Sequence, residues 1–153
     1  MDTTNGGYSK LAAEYNGHLR GGELGKCGKD LFIMAAHLRE EGHRVDELKA
    51  LMLSFFFDLN GVNSGPAINR STAKRAADAF GASGLDRHEM EELYIETIRG
   101  DTVPKPIMSV KDSLYVFEVC LEGKTEEADE MLARFMEAQA EEYVGKLKGE
   151  CPD

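Results

Sequence analysis

Two histidines and a glutamate at metal-ligand spacing are the first residues of this chain that could support chemistry. His37, Glu40 and His43 follow one another at three-residue intervals. On a continuous helix this spacing gathers the three side chains near one face, as in carboxylate-bridged metal sites. Gly42 lies within the set and is expected to end the helix before His43. A metal site at these three residues is therefore an alternative, and helix-surface histidines are the simpler interpretation.

An acidic cluster near the carboxyl end suggests a different chemistry. The run Glu126-Glu127-x-Asp129-Glu130, together with Glu89-x-x-Glu92, supplies the grouped carboxylates that Mg²⁺ needs beside a phosphate-bearing substrate. The two segments resemble the acidic cluster with which all-α nucleotide pyrophosphatases hold magnesium. In that family the carboxylates face inward across a dimer beside lysines, whereas Glu126 and Glu127 also suit the first turn of a helix by charge. The resemblance implies a metal-dependent nucleotide hydrolase, our third hypothesis.

A basic cluster indicates possible contact with nucleic acid. Arg70 and Lys74 are four residues apart, so on a helix they and the neighbouring Arg75 can reach adjacent phosphates. The segment 70–99 also has glycine spacing similar to that of a helix-turn-helix, which makes a DNA-binding transcriptional regulator the second hypothesis. The helix that would enter the groove is mostly acidic, and its carboxylates would meet phosphates. We therefore do not expect nucleic acid as the partner.

Other catalytic signatures are missing from the sequence. There is no Gly-x-Ser-x-Gly elbow, no phosphate-cradling glycine loop and no dinucleotide fingerprint. Three cysteines at wide spacing argue against a disulfide framework or a zinc knuckle, and we expect Cys27 and Cys120 in the core and Cys151 exposed. The sequence therefore favours a non-enzymatic protein over the hydrolase alternative and does not indicate a cofactor.

Charge is divided unequally along the chain. Residues 86–153 contain 18 acidic and 8 basic side chains, which accounts for the whole net charge of −10, while residues 1–85 contain ten of each. A folded polyanionic surface repels nucleic acid and attracts basic partners. No apolar run is long enough for a membrane helix, and residues 1–7 do not have the composition of a secretory signal, so we expect a cytoplasmic protein.

The elements that must position these residues are all helices, because apolar residues recur at spacings of three and four almost throughout. Residues 9–148 are predicted to form one helical domain between flexible termini at residues 1–8 and 149–153. We predict an irregular bundle of six or seven helices around a central, strongly apolar one, with a helical hairpin at its carboxyl end. The predicted helices span about Ser9–Leu19, Lys26–Glu41, Val45–Leu59, Ala67 or Ser71 to Phe80, Asp86 to Gly100, Ser109 to Gly123 and Thr125–Leu147.

The last predicted helix carries the strongest candidate for a binding surface. It is longer than a small bundle needs, and its apolar arc is wider than one stripe. The expected contact residues are an apolar group flanked by carboxylates: Met131, Phe135 and Met136, with Glu127, Glu130, Glu137 and Glu141. The first functional hypothesis is a small regulatory or adaptor protein that binds a basic protein partner through this surface and forms a homodimer.

Overall fold

The computed structural model describes residues 13–18, 20–21, 24–60, 67–99 and 108–147, and these form an all-helical bundle. Helix α1 includes residues 13–18. The six that follow are α2 (Leu24–Glu40), α3 (Arg44–Leu59), α4 (Arg70–Ser83), α5 (Arg87–Arg99), α6 (Val110–Leu121) and α7 (Thr125–Leu147). The predicted fold class is confirmed. None of the described helices is long and apolar enough to span a membrane.

Several predicted features fall outside the described residues. These are the helix start at Ser9, the exposed Cys151 and the two flexible termini, residues 1–8 and 149–153. The limits of the single domain, 9–148, therefore stay a prediction.

Helix α3 is the centre of the bundle, as its sequence predicts. Eleven of its 16 residues are buried, and it contacts α2, α4, α5 and α6. A helix that is apolar on every side needs neighbours on every side. The other helices bury single stripes against it, for example Cys27, Leu31 and Leu38 on α2.

Local signals in the sequence determine where the helices begin and end. Gly42 and Gly123 both have φ of +81°, in the left-handed region that glycine adopts without steric cost. Each glycine allows two backbone hydrogen bonds that close the end of a helix. After α6, the N–H of Gly123 donates to the carbonyl of Cys120, and the N–H of Lys124 donates to the carbonyl of Val119. The second pair closes the α6–α7 hairpin.

Side-chain caps define the first residues of α5 and α6. The Ser109 hydroxyl accepts the Asp112 N–H at 3.1 Å before α6. At the start of α5, the Asp86 carboxylate accepts the Glu89 N–H at 2.8 Å and the Glu89 carboxylate accepts the Asp86 N–H at 3.0 Å, which is a capping box.

An aromatic cluster joins α3, α5 and α6. The Phe117 ring lies 5.1 Å from Phe55 in an edge-to-face arrangement and 5.0 Å from Tyr94, centroid to centroid. All three rings are fully buried. The Tyr94 hydroxyl donates a hydrogen bond to the Ser113 hydroxyl at 2.9 Å. Burial raises the pKa of Tyr94 well above its usual range, so the ring stays neutral. This cluster holds the carboxyl-terminal hairpin on the central helix.

An ion-pair network joins α3 to α4. The Arg44 guanidinium donates to Glu47 at 2.7 Å and to Asp78 at 2.6 Å. Glu47 is fully buried, whereas Asp78 is half exposed and also lies 3.4 Å from Arg39. Arg44 is therefore the counter-ion of a carboxylate that has no access to water.

Candidate docking surface on the last helix

The buried side chains of α7 that the structure describes lie in its first half. Among them Leu132, only 7% exposed, is the last buried one, and Phe135 is the last described side chain that packs against the core. All described side chains from 136 to 144 are exposed. We call residues 136–147 the outer segment of α7.

The composition of the outer segment favours a helix although its described side chains are exposed. Residues 136–142 read Met-Glu-Ala-Gln-Ala-Glu-Glu, and every one is a strong helix former. Backbone propensity therefore continues the helix where packing no longer supports it.

The outer segment carries an exposed apolar stripe. Met136, Ala140 and Val144 are spaced four residues apart, so they lie above one another on the same face. Met136 is 39% exposed and Val144 is 44% exposed. Few large apolar side chains in the described part of the chain are as exposed, which makes this outer stripe a candidate contact surface.

Two carboxylates border the outer stripe on one side. Glu137 and Glu141 each follow a stripe residue directly, and both are exposed without an ion pair to any described residue. Over its full length α7 has seven carboxylates against Arg134 and Lys146. The candidate surface is therefore apolar along its middle and negative along its edge.

The structure divides the predicted contact residues into two groups. Met131 and Phe135 are partly buried and pack against their own core, so they are only partly available to a partner. Glu130 lies 3.8 Å from Arg134, and Glu127 is exposed in the first turn. Met136, Glu137 and Glu141 remain together on the outer segment. Val144 was missed by the sequence analysis, although its four-residue spacing from Met136 through Ala140 was a signal.

Negative charge elsewhere in the carboxyl-terminal half is partly neutralised. Arg87 on α5 donates to Glu118 on α6 at 2.7 Å and to Glu122, the residue after α6, at 3.0 Å, and Glu91 lies 3.9 Å from it. Asp129 is paired with Arg70 at 2.8 Å. The acidic surface predicted for the whole carboxyl-terminal half is thus interrupted on α5 and α6, and it is clearest on the outer segment.

The Arg87 cluster has more carboxylates than cations, and this affects Glu118. Its pKa is raised above the ordinary value, mainly by burial and then by the hydrogen bond shared with Glu91, while Arg87 opposes the shift. Because the pKa is higher in the folded state, protonation of Glu118 favours folding. Its contribution to stability therefore increases as pH falls through the folded pKa and is lost as pH rises.

Glu91→Gln is expected to bring the pKa of Glu118 down towards its ordinary value, because a neutral amide no longer opposes ionisation of the neighbouring carboxylate. Carbon-detected NMR titration of the Glu118 carboxyl measures the shift. Glu92→Gln is the matched control, since Glu92 is exposed and paired with His88 at 2.6 Å instead. An unchanged Glu118 pKa in Glu91→Gln would contradict the shared hydrogen bond.

The basic residues of the DNA-binding alternative are largely engaged within the chain. Arg70 forms the ion pair with Asp129, and the Arg75 guanidinium lies over the Phe32 ring, 4.6 Å from its centroid. Lys74 is exposed. Helices α4 and α5 are joined by a three-residue turn, but Arg87 at the start of α5 is held by the carboxylates of α6.

The metal-binding alternatives have no converging ligand set within the described ranges. Helix α2 ends at Glu40 and Gly42 turns the chain, so His43 lies off the helix and 3.6 Å from Glu41. His37 and Glu40 are left on α2. On α7, Glu126, Glu127 and Glu130 are exposed and do not form a group with Glu89 or Glu92.

The two described cysteines are core residues, as expected. Cys27 and Cys120 are buried and form no disulfide. Burial, with a smaller effect of Asp129, raises the pKa of the Cys120 thiol to about 11. The thiol is therefore protonated near neutral pH and is a poor nucleophile.

Comparisons of this chain with protein-family models, with curated proteins and with solved structures found no match.

Proposed function

We propose that this protein is a small non-enzymatic adaptor or regulator that binds a basic amphipathic helix of another protein along the outer segment of α7. The observation that supports this proposal is the outer stripe, which leaves Met136 and Val144 exposed beside Glu137 and Glu141, two carboxylates with no ion pair to a described residue. An apolar stripe bordered by carboxylates is complementary to a helix with an apolar face and lysines or arginines beside it.

The size of the surface suggests the strength of binding. Twelve helical residues extend roughly 18 Å, which is about three turns. A contact between two helices over that length buries less area than a typical stable complex. The proposed interaction is therefore reversible, with electrostatic attraction contributing mainly to the rate of association and to partner choice.

Charge reversal at Glu137 and Glu141 tests the proposal. The probe is a synthetic helical peptide of leucines and lysines with all its leucines on one face. Replacing both glutamates by lysine is expected to weaken peptide binding by about tenfold or more, because each change converts an attraction into a repulsion. Isothermal titration calorimetry at low salt measures the affinity.

The matched control applies the same change of charge elsewhere. Glu40 and Glu92 are exposed on α2 and α5, and Glu40→Lys with Glu92→Lys alters the net charge by the same amount. This pair is expected to weaken binding only slightly. Equal losses in the two double variants would show that the peptide responds to net charge alone, and the proposal would then fail.

A second copy of the chain is the other binding partner that the sequence suggests for the outer segment. Two outer segments packed through their stripes would bring carboxylates of the same sign together, so added salt should strengthen a homodimer. Added salt should weaken the complex with a basic helix for the same reason. Sedimentation of the protein alone and with the peptide, at low and high salt, separates these outcomes, and salt-strengthened self-association with no peptide complex would overturn the proposal.

A further inference from the structure

A cavity of about 390 Å³ lies between α2, α3 and α5, away from the outer segment of α7. Its walls are apolar and come from α2 and α3: Leu31, Met34, Leu38 and Leu53. These side chains are 4–6% exposed, while their neighbours in the closed core are at 0%, so the small exposed fraction is consistent with walls that face the cavity. The volume is in the range of pockets that bind small molecules.

Charged side chains line the same cavity. Asp46 and Lys49 on α3 and Glu96 on α5 are all exposed, and none of the three forms an ion pair with a described residue. The cavity therefore combines an apolar space with three charged side chains that have no ion pair within the described part of the chain.

The balance of charge selects the ligand. Asp46 and Glu96 provide two negative charges against the single positive charge of Lys49, and the protein as a whole has a net charge of −10. Both favour a cation over an anion at the cavity. We propose that this cavity binds a small organic amine, with its alkyl or aryl body against the leucines and its ammonium group between Asp46 and Glu96.

Three probes with the same chain and different head groups test this assignment. Octylammonium, octanol and octanoate share the apolar body and differ in charge. Octylammonium is expected to bind most tightly, octanol less tightly and octanoate least. The Kd of octanoate should be about tenfold or more above that of octylammonium. Titration calorimetry gives the affinities, and NMR shifts of the Met34 and Leu93 methyl groups show whether the probe occupies this cavity.

Neutral variants separate head-group recognition from simple apolar binding. Asp46→Asn with Glu96→Gln is expected to lower octylammonium affinity to that of octanol and to leave octanol unchanged. Glu126→Gln with Glu130→Gln changes the net charge equally on α7 and should preserve the preference. Ala50→Phe, which places a ring in the cavity wall, should abolish binding of all three probes, with circular dichroism as the check that the variant is folded.

Three results would overturn the proposal. The first is the failure of all three probes to bind the unmodified protein or to shift Met34 and Leu93. The second is octanoate binding as tightly as octylammonium. The third is an unchanged preference for octylammonium in the Asp46→Asn, Glu96→Gln variant. Because the cavity shares no residue with the outer stripe, each outcome is independent of the proposed adaptor function.

Discussion

Phe117→Ala is expected to lower the free energy of unfolding by about 3–5 kcal/mol. The ring is fully buried and packs against both Phe55 and Tyr94, so its removal leaves a cavity where α3, α5 and α6 meet. The backbone at this point belongs to three helices, which limits how far the site can collapse. Urea unfolding followed by circular dichroism measures the loss.

Tyr115→Ala is the matched control for Phe117→Ala. Tyr115 lies two residues earlier on α6 and is 65% exposed, so its removal should change stability by less than about 0.5 kcal/mol. Phe55→Leu combined with Phe117→Leu should show a coupling of about 0.5–1.5 kcal/mol, as expected for rings in contact. Similar effects of the two alanine variants would mean that α6 is rotated relative to the description given above.

Arg44→Met is the second change with a large expected effect. Arg44 supplies the cation at 2.7 Å from Glu47, which is fully buried and has one carboxylate oxygen without a hydrogen bond among the described residues. Methionine retains the apolar part of the side chain but leaves the carboxylate without a cation. The melting temperature is expected to fall by on the order of 10 °C. Differential scanning calorimetry measures this change.

Glu47→Leu in the Arg44→Met background should restore most of the lost stability, because an apolar pair of similar volume replaces a buried ion pair at little net cost. Arg39→Met is the control: Arg39 is exposed and 3.4 Å from Asp78, so its loss should have little effect. If Arg39→Met and Arg44→Met lowered the melting temperature equally, the network would depend on Asp78 and not on the buried Glu47.

Much of the fold could be predicted because its determinants are local. Ser109 and the Asp86–Glu89 pair act within one turn of helix, and Gly42 and Gly123 act at single φ angles. The central position of α3 follows from apolar residues on every side. The end of α4 shows the limit of this reasoning: the helix was predicted to end at Phe80, but it continues to Ser83, and Gly84 at φ +80° provides the turn.

Contacts between residues that are far apart in the sequence could not be predicted from residue spacing. Arg87 and Glu118 are 31 residues apart, and their ion pair depends on how α5 and α6 pack. The same is true of the cavity lined by Asp46 and Glu96, which lie on different helices. On α7 the apolar spacing predicted a surface beyond what the core needs, and we assigned it partly to Met131 and Phe135. These two residues pack against the core instead. How far a helix is covered depends on the size of its neighbours, which the spacing of its own residues does not reveal.

The outer segment has a thermodynamic consequence for any partner. Isolated helices of about twelve residues are marginal in water, so this part of α7 should fray and exchange its amide hydrogens faster than residues 125–135. A partner that docks there must suppress the fraying, and the entropy lost in doing so is subtracted from the contact energy. The complex would then be brief and readily exchanged.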